Sequence, residues 1–274
     1  MTRWIASLPM YNVTPQHAAL WRSLLTDCLA VVARSFDLGD ITIENAPEGE
    51  LMLHWRREDL LLSQTCGFPY RMLGLANEVR LIATPIFDAP GCEGPRYRSV
   101  LVVSAQAWEL GAKTLEACRG LRAACNGADS HSGMNAFRHA VAPLARDSRF
   151  FASVLWTGSH AATLRALASG AADVGAIDCV TFALLHDSHP ERFGGLQTIG
   201  MTACAPGLPL IASRVLGESQ ADVLRDALDT ALAADPERAN KLRLRGFVRL
   251  TGEAYAEIEA FAGSAAHQGY TELR

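Results

Sequence analysis

The residues best suited to chemistry lie in the segment 126–135, which reads Asn-Gly-Ala-Asp-Ser-His-Ser-Gly-Met-Asn. It follows a strand-like run, Leu121–Cys125, and opens a helical pattern with apolar residues at Met134, Phe137 and Val141. Serine is a favoured helix-capping residue, and glycine lets a ligand approach the backbone closely. Helix N-termini present unpaired N–H groups and a positive dipole end, so the segment predicts a site for a small oxyanion. Simple capping of the helix by serine is the structural alternative.

Three further strand ends carry polar side chains. In the loop 63–69, Gln64 offers both donors and an acceptor, and Thr65 can cap the helix that follows. His160 opens a helix, where its ring could donate to an anion, although such a histidine can equally be a capping or surface residue. Asp178 ends an apolar strand and is either a helix N-cap or a carboxylate that faces a ligand. Tyr97 places a phenol just before a buried strand, where ordinary packing is the alternative.

Composition limits the class of protein. The chain has 274 residues, 49% of them hydrophobic and 20% charged, as expected for a folded globular protein of one large or two medium domains. A net charge of −4 argues against a nucleic-acid or anionic-membrane surface. We expect no membrane span, because no apolar run approaches about 18 residues. We also expect no cofactor, no metal site, no catalytic residues and a monomer.

The N-terminal sequence lacks the features of a signal peptide, so we expect a cytoplasmic protein, with a periplasmic location as the alternative if a leader has been removed. The cysteines form an odd, scattered set without CxxC pairs, which indicates free thiols rather than a disulfide framework. These are Cys28, Cys66, Cys92, Cys118, Cys125, Cys179 and Cys204.

Short strand-like runs alternate with helical patterns along the chain, which predicts an α/β architecture. The pattern begins afresh near residue 104 and breaks again at Pro206–Pro209. We therefore predict two lobes, with residues 1–103 and 204–274 forming a discontinuous lobe 1 and residues 104–203 forming lobe 2. Open α/β sheets bind ligands beyond the carboxyl ends of their strands, so the polar strand ends should line a cleft.

Taken in order, these motifs resemble the phosphate/phosphonate-type solute-binding proteins of ABC transporters. The resemblance covers nearly the whole chain and weakens in the helical tail. Its most specific parts are the Ser-x-Ser-Gly helix start at 130–133, the Gly-Ser-His loop at 158–160 and the strand 170–178. It implies a type 2 periplasmic-binding-protein fold, with two α/β lobes of mixed sheets flanked by helices and a ligand cleft between them.

The resemblance also implies roles for particular residues. The serine-rich helix start would hold the ligand's oxyanion, with the backbone of Met134 and Asn135 as further donors, and Asp178 would face an amine as in aminophosphonate binders. The Gln-Thr-Cys-Gly loop departs from the aromatic-Gly-Pro form of those binders, which leaves the ligand open among phosphonate, phosphate and similar acids. The implied ligand-binding residues are Gln64, Thr65, Tyr97, Ser130, Ser132, Gly133, Met134, Asn135, His160 and Asp178.

The sequence thus predicts a solute-binding protein that captures a small oxyanion and closes around it by hinge motion, with an ABC permease as a partner. One alternative is a cytoplasmic ligand-sensing or regulatory module with the same clamshell. A second is a Cys-dependent enzyme that uses Cys66 as nucleophile, His160 as base and Asp178 as orienting group. A metal site at His186 and His189 is the weakest alternative, since dedicated ligand spacing is lacking.

Overall fold

Two sheets organise the molecule, which we describe from a computed structural model covering residues 3–35, 39–47 and 49–274. The strands are β1 (Arg3–Ser7), β2 (Asp40–Ile43), β3 (Leu60–Gln64), β4 (Val79–Phe87), β5 (Arg96–Tyr97), β6 (Ser99–Val103), β7 (Arg122–Cys125), β8 (Ser153–Trp156), β9 (Val174–Asp178), β10 (Gln197–Met201), β11 (Ala205–Pro206), β12 (Leu210–Ser213) and β13 (Leu244–Val248). The α-helices are α1 (Pro15–Ser35), α2 (Leu51–Trp55), α3 (Gly67–Met72), α4 (Ala105–Glu109), α5 (Ala136–Val141), α6 (His160–Ala168), α7 (Cys179–Ser188), α8 (Glu218–Ala234), α9 (Pro236–Lys241) and α10 (Ala256–His267).

The chain divides into two compact units. Unit 1 consists of the described residues up to Asp88 together with Pro206–Tyr255, and unit 2 of Ala89–Ala205 together with Ala256–Arg274. The prediction placed residues 1–103 in the first lobe, whereas β6 pairs with β9 and β10 and is therefore part of unit 2. It also placed the whole C-terminal region in the first lobe, whereas α10 packs against α5 of unit 2.

Unit 1 contains a six-stranded mixed sheet in the order β13-β4-β12-β3-β1-β2. β1 runs parallel to β2 and β3, and β12 runs antiparallel to β3 and β4. Helix α1 packs against α8, whose buried residues include Ala221, Ala227 and Ala231. The buried face of α1 includes Trp21 and Leu24, at the helical spacing expected from the sequence.

Strand β12 was absent from the prediction, although it is central to the sheet of unit 1. All four of its residues are buried between β3 and β4. It follows directly on Pro206–Pro209, which the sequence analysis treated as a chain break. A strand of four residues, three of them apolar, is too short to show a period, and burial on both faces removes the alternation that marks a strand.

Unit 2 contains a five-stranded mixed sheet in the order β10-β6-β9-β7-β8. The neighbours β9, β7 and β8 are mutually parallel, and β6 is antiparallel to β9 and β10. Each of the three parallel strands is followed by a helix start. The carboxyl ends of parallel strands meet at one edge of a sheet, so these helix starts are brought to the same edge.

Candidate functional site

The segment after β7 begins a helix one residue earlier than the prediction and with a wider turn. His131–Asn135 forms a π-helical turn that continues directly into α5. Its cap is Ser130, whose Oγ accepts from the N–H of Gly133 at 3.0 Å. The N–H of Asn135 donates to Ser130 O at 3.0 Å, as the π geometry requires. Ser130 therefore caps the helix, as the structural alternative had it, and the N–H of Asn135 is already used within the helix.

Ser132 joins this turn to the next helix. Its Oγ is hydrogen-bonded to His160 Nε2 at 2.8 Å, and its carbonyl accepts from Ser99 Oγ at 2.8 Å. His160 is the first residue of α6, whose N-cap Ser159 accepts from the N–H of Ala162. The side chains of Ser132 and His160 therefore link two helix N-termini. The first N–H groups of a helix lack intrahelical partners.

His160 is held as a neutral ring. Burial lowers its pKa from the ordinary 6.5 to about 4, and a backbone interaction with Ala176 acts in the opposite direction. At neutral pH the ring therefore contributes hydrogen bonding, not a full charge.

Gly133 is required where the loop and the helix start meet. A β-carbon added there would lie 1.7 Å from Asn126 Oδ1 and 3.1 Å from His160 Cε1. Asn126 Oδ1 is itself buried and has no hydrogen-bond partner among the described residues. Asn126 was not among the predicted site residues, although its position directly after β7 matched the pattern of polar strand ends.

Asp178 ends β9 and caps α7. Its Oδ1 accepts from the N–H groups of Val180 at 2.8 Å and Thr181 at 2.9 Å, and the residue is 2% exposed. The capping interpretation is therefore correct for this oxygen. Asp178 lies directly opposite Ser99 in the antiparallel register, which puts it near Ser132.

Asn135 has a structural role in unit 2. Its Nδ2 donates to Ile258 O at 2.9 Å and lies 3.2 Å from His131 Nδ1, while its Oδ1 accepts from Arg138. It is 0% exposed, and these contacts tie the helix start to α10. Its side chain is thus occupied by partners within the protein.

Two other predicted residues, Met134 and Tyr97, and one residue that was not predicted, His131, are also buried in unit 2. Met134 is buried, and so is Tyr97, whose ring centroid lies 6.1 Å from that of His131. His131, which the sequence analysis passed over, is 2% exposed, and burial lowers its pKa to about 3. Its position between two serines was the available signal, but sequence does not reveal that its ring faces inward.

Gln64 and Thr65 belong to unit 1. Gln64 ends β3, with Nε2 donating to Leu208 O at 3.4 Å and Oε1 buried without a partner among the described residues. The N–H of Thr65 donates to Pro209 O, and its hydroxyl donates to Cys66 O. Thr65 was predicted to cap α3, but the N-cap is Cys66, which makes no side-chain capping bond.

Two classes of feature are absent from the part of the chain that the structure describes. Outside residues 1–2, 36–38 and 48, no cluster of three or more His, Cys, Asp or Glu side chains could hold a metal ion. Across the same residues, every helix is too short or too polar to cross a membrane.

Comparisons with known proteins agree with the fold. No curated protein matches the chain. A binding protein component of an ABC phosphonate transporter from Pseudomonas aeruginosa superposes with a TM-score of 0.75 at 16% identity, over 97% of this chain and 88% of that one. PhnD1 from Prochlorococcus marinus in complex with methylphosphonate gives 0.73 at 16%, over 97% and 98%. The alkanesulfonate-binding protein SsuA from Xanthomonas axonopodis pv. citri, bound to MOPS, gives 0.65 at 14%, over 99% and 94%.

These similarities confirm the predicted fold class, a periplasmic-binding-protein fold with mixed sheets flanked by helices. Residues 50–255 match the model of a family described as the periplasmic substrate-binding protein of phosphonate ABC transporters. That match spans well over half of the chain and agrees with the family named from the sequence motifs. The chain therefore belongs to the phosphonate-binding family of ABC-transporter substrate-binding proteins.

Proposed function

We propose that unit 2 binds the acidic head group of a small phosphonate at the helix starts that follow β7 and β8. One observation carries the proposal: the N-termini of the His131–Asn135 turn and of α6 are joined by the 2.8 Å hydrogen bond between Ser132 and His160. Two helix dipoles then act on one point, which favours an anion. Ser132 and His160 can both turn a donor towards its oxygens.

Burial holds the pKa of the His160 ring near 4, so the ring offers hydrogen bonds at neutral pH, and a nearby anionic oxygen would act to raise that pKa. Hydrogen bonds from neutral donors to a charged oxygen contribute about 1.5–3 kcal/mol each. Within unit 2, the proposed set of ligand contacts also includes Tyr97, Gly133 and Met134. Asp178 remains a proposed partner for an amine on the ligand, through its carboxylate, whose Oδ1 also caps α7.

We further propose that the protein binds and releases its ligand without catalysis, as a partner of an ABC permease. Support comes from the family, whose members are transporter substrate-binding proteins. The Cys-dependent alternative is disfavoured by the burial of Cys66, which is 7% exposed, and by the engagement of His160 with Ser132. Slow, ordinary reaction of Cys66 with iodoacetamide is the expected result, and rapid selective alkylation would argue for a nucleophile.

Ser132→Ala tests the head-group site. Loss of one hydrogen bond to a charged oxygen should weaken binding of methylphosphonate by about 10- to 100-fold in calorimetric titration. The free energy of unfolding should also fall by about 1–3 kcal/mol, because buried His160 Nε2 loses its 2.8 Å hydrogen-bond partner, so affinity is measured on folded protein well below the melting temperature.

Ser104→Ala is the matched control, since Ser104 is a buried cap of α4 in the same unit. It should lower stability by about 1 kcal/mol and leave affinity unchanged. Full affinity in Ser132→Ala, measured beside phosphate and 2-aminoethylphosphonate as further probes, would refute the proposed site.

A further inference from the structure

Two cysteine thiols of unit 2 lie next to each other although they are far apart in sequence. Cys92 Sγ and Cys179 Sγ are 3.6 Å apart, and the residues are separated by 87 positions in the chain. Cys179 is 1% exposed, whereas Cys92 is partly exposed. A sulfur–sulfur bond measures about 2.05 Å, so a closure of roughly 1.5 Å would join them.

The backbone around the pair is arranged for this approach. Gly91 has φ +101°, and a β-carbon there would lie 3.0 Å from Cys179 Cβ and 3.1 Å from Met201 Sδ. A larger residue would push the loop away, so glycine brings the neighbouring Cys92 against the first turn of α7. On the other side, Cys179 is anchored, because its N–H donates to Arg98 O and Asp178 caps the same turn.

We propose that Cys92 and Cys179 are a site of reversible oxidation to an intramolecular disulfide, with a low-molecular-weight disulfide as the oxidant. Metal binding explains the pair less well, since no third His, Cys, Asp or Glu completes a cluster among the described residues. The proposal does not rest on the ligand bound by this protein.

The reaction proceeds by two thiol–disulfide exchanges. Cys92, the accessible thiol, attacks as a thiolate and forms a mixed disulfide with one half of the oxidant, while the other half leaves as a thiol. Cys179 then loses its proton to water and attacks Cys92 Sγ, which releases the second half as a thiol. Two protein thiols are oxidised and one oxidant disulfide is reduced to two thiols.

The second exchange is the slower one. The hydrogen bond with Cys92 and burial raise the pKa of the Cys179 thiol, so little of it is thiolate at neutral pH. Closure should therefore accelerate as pH rises. The resulting bond would close a large loop within unit 2, and such cross-links stabilise a fold chiefly by restricting the unfolded chain.

Oxidised glutathione and the full chain test the proposal. Intact mass should fall by two hydrogens at this pair without a retained glutathione, and peptide mapping should recover a 92–179 cross-link that dithiothreitol reverses. Cys179→Ser should instead trap glutathione on Cys92. The oxidised protein should melt roughly 5–10 °C higher than the reduced one.

Cys204→Ser is the matched control, because Cys204 is also a partly exposed free thiol, and the 92–179 link should form in it as in the parent chain. Gly91→Ala should slow formation of the link by moving the loop outward. Stable glutathione adducts on Cys92 in the parent chain, a link to another cysteine, or an oxidised form that melts lower would each overturn the proposal.

Discussion

At the scale of single residues, the polar side chains of the 126–135 segment divide between structure and ligand. Ser130 is engaged as a cap, and Asn135 is engaged by Ile258 and Arg138. Ser132 and His160 share a hydrogen bond at the helix starts. Sequence spacing identified the segment but could not assign these roles, because serine and asparagine suit caps and ligand sites equally well.

Gly133 provides a test of the close approach at this site. Gly133→Ala should lower the free energy of unfolding by about 1–3 kcal/mol, because its β-carbon would meet Asn126 Oδ1 at 1.7 Å. Urea denaturation measures the effect. Combining it with Asn126→Ala should recover much of the loss, and a double-mutant cycle reports the coupling.

Gly263→Ala is the control for that experiment. Gly263 lies within α10 with no atom within 4 Å of an added β-carbon, so alanine should stabilise the helix by about 0.5–1 kcal/mol. Additive effects of Gly133→Ala and Asn126→Ala would contradict the proposed contact.

At the scale of elements, the helix starts of the candidate site were predicted closely. The starts at α6 and α7 lie within one residue of the polar strand ends identified in the sequence. The π turn at His131–Asn135 could not be foreseen, because the i, i+3 and i+7 pattern of apolar residues does not distinguish a wide turn from an α-helix.

Asn135→Ala tests the link between two of these elements. It should lower the free energy of unfolding by about 2–3 kcal/mol, since Ile258 O and Oδ1-bound Arg138 would lose buried partners. Chemical denaturation provides the measurement. Asn240→Ala, at an exposed asparagine, should change stability by no more than about 0.5 kcal/mol. An equally small effect at Asn135 would mean that its side chain does not hold α10.

At the scale of the whole molecule, buried histidines in both units should make the protein sensitive to acid. Burial lowers the pKa of His54 in unit 1 to about 4, with the charge of Arg57 adding to the effect. His131 and His160 of unit 2 have pKa values of about 3 and 4. Between pH 6.5 and about 4 the unfolded chain binds protons that the folded chain does not, so stability falls as pH falls.

The slope of unfolding free energy against pH measures this linkage. Each such histidine contributes up to about 1.4 kcal/mol per pH unit within the window. His131→Gln should reduce the slope by about the contribution of one histidine, because burial and the nearby His139 lower the pKa of His131. As a control, Gln268→Ala replaces an exposed side chain that does not titrate and should leave the slope unaltered. A slope that His131→Gln does not reduce would contradict the assignment.

The sequence by itself determined the α/β class, the family and the position of most polar strand ends. Those features are written in local patterns: apolar periodicity, helix caps, and glycines and serines at fixed spacing. The helix start of the 126–135 segment and the loop before α6 were found in this way.

Tertiary structure decided what local patterns cannot encode. The division after Asp88 follows from the pairing of β6 with β9 and β10, and the use of Asn135 follows from its contact with Ile258. The adjacency of Cys92 and Cys179 likewise joins positions 87 residues apart. Each of these features depends on which distant segments pack together, and local sequence patterns do not specify that packing.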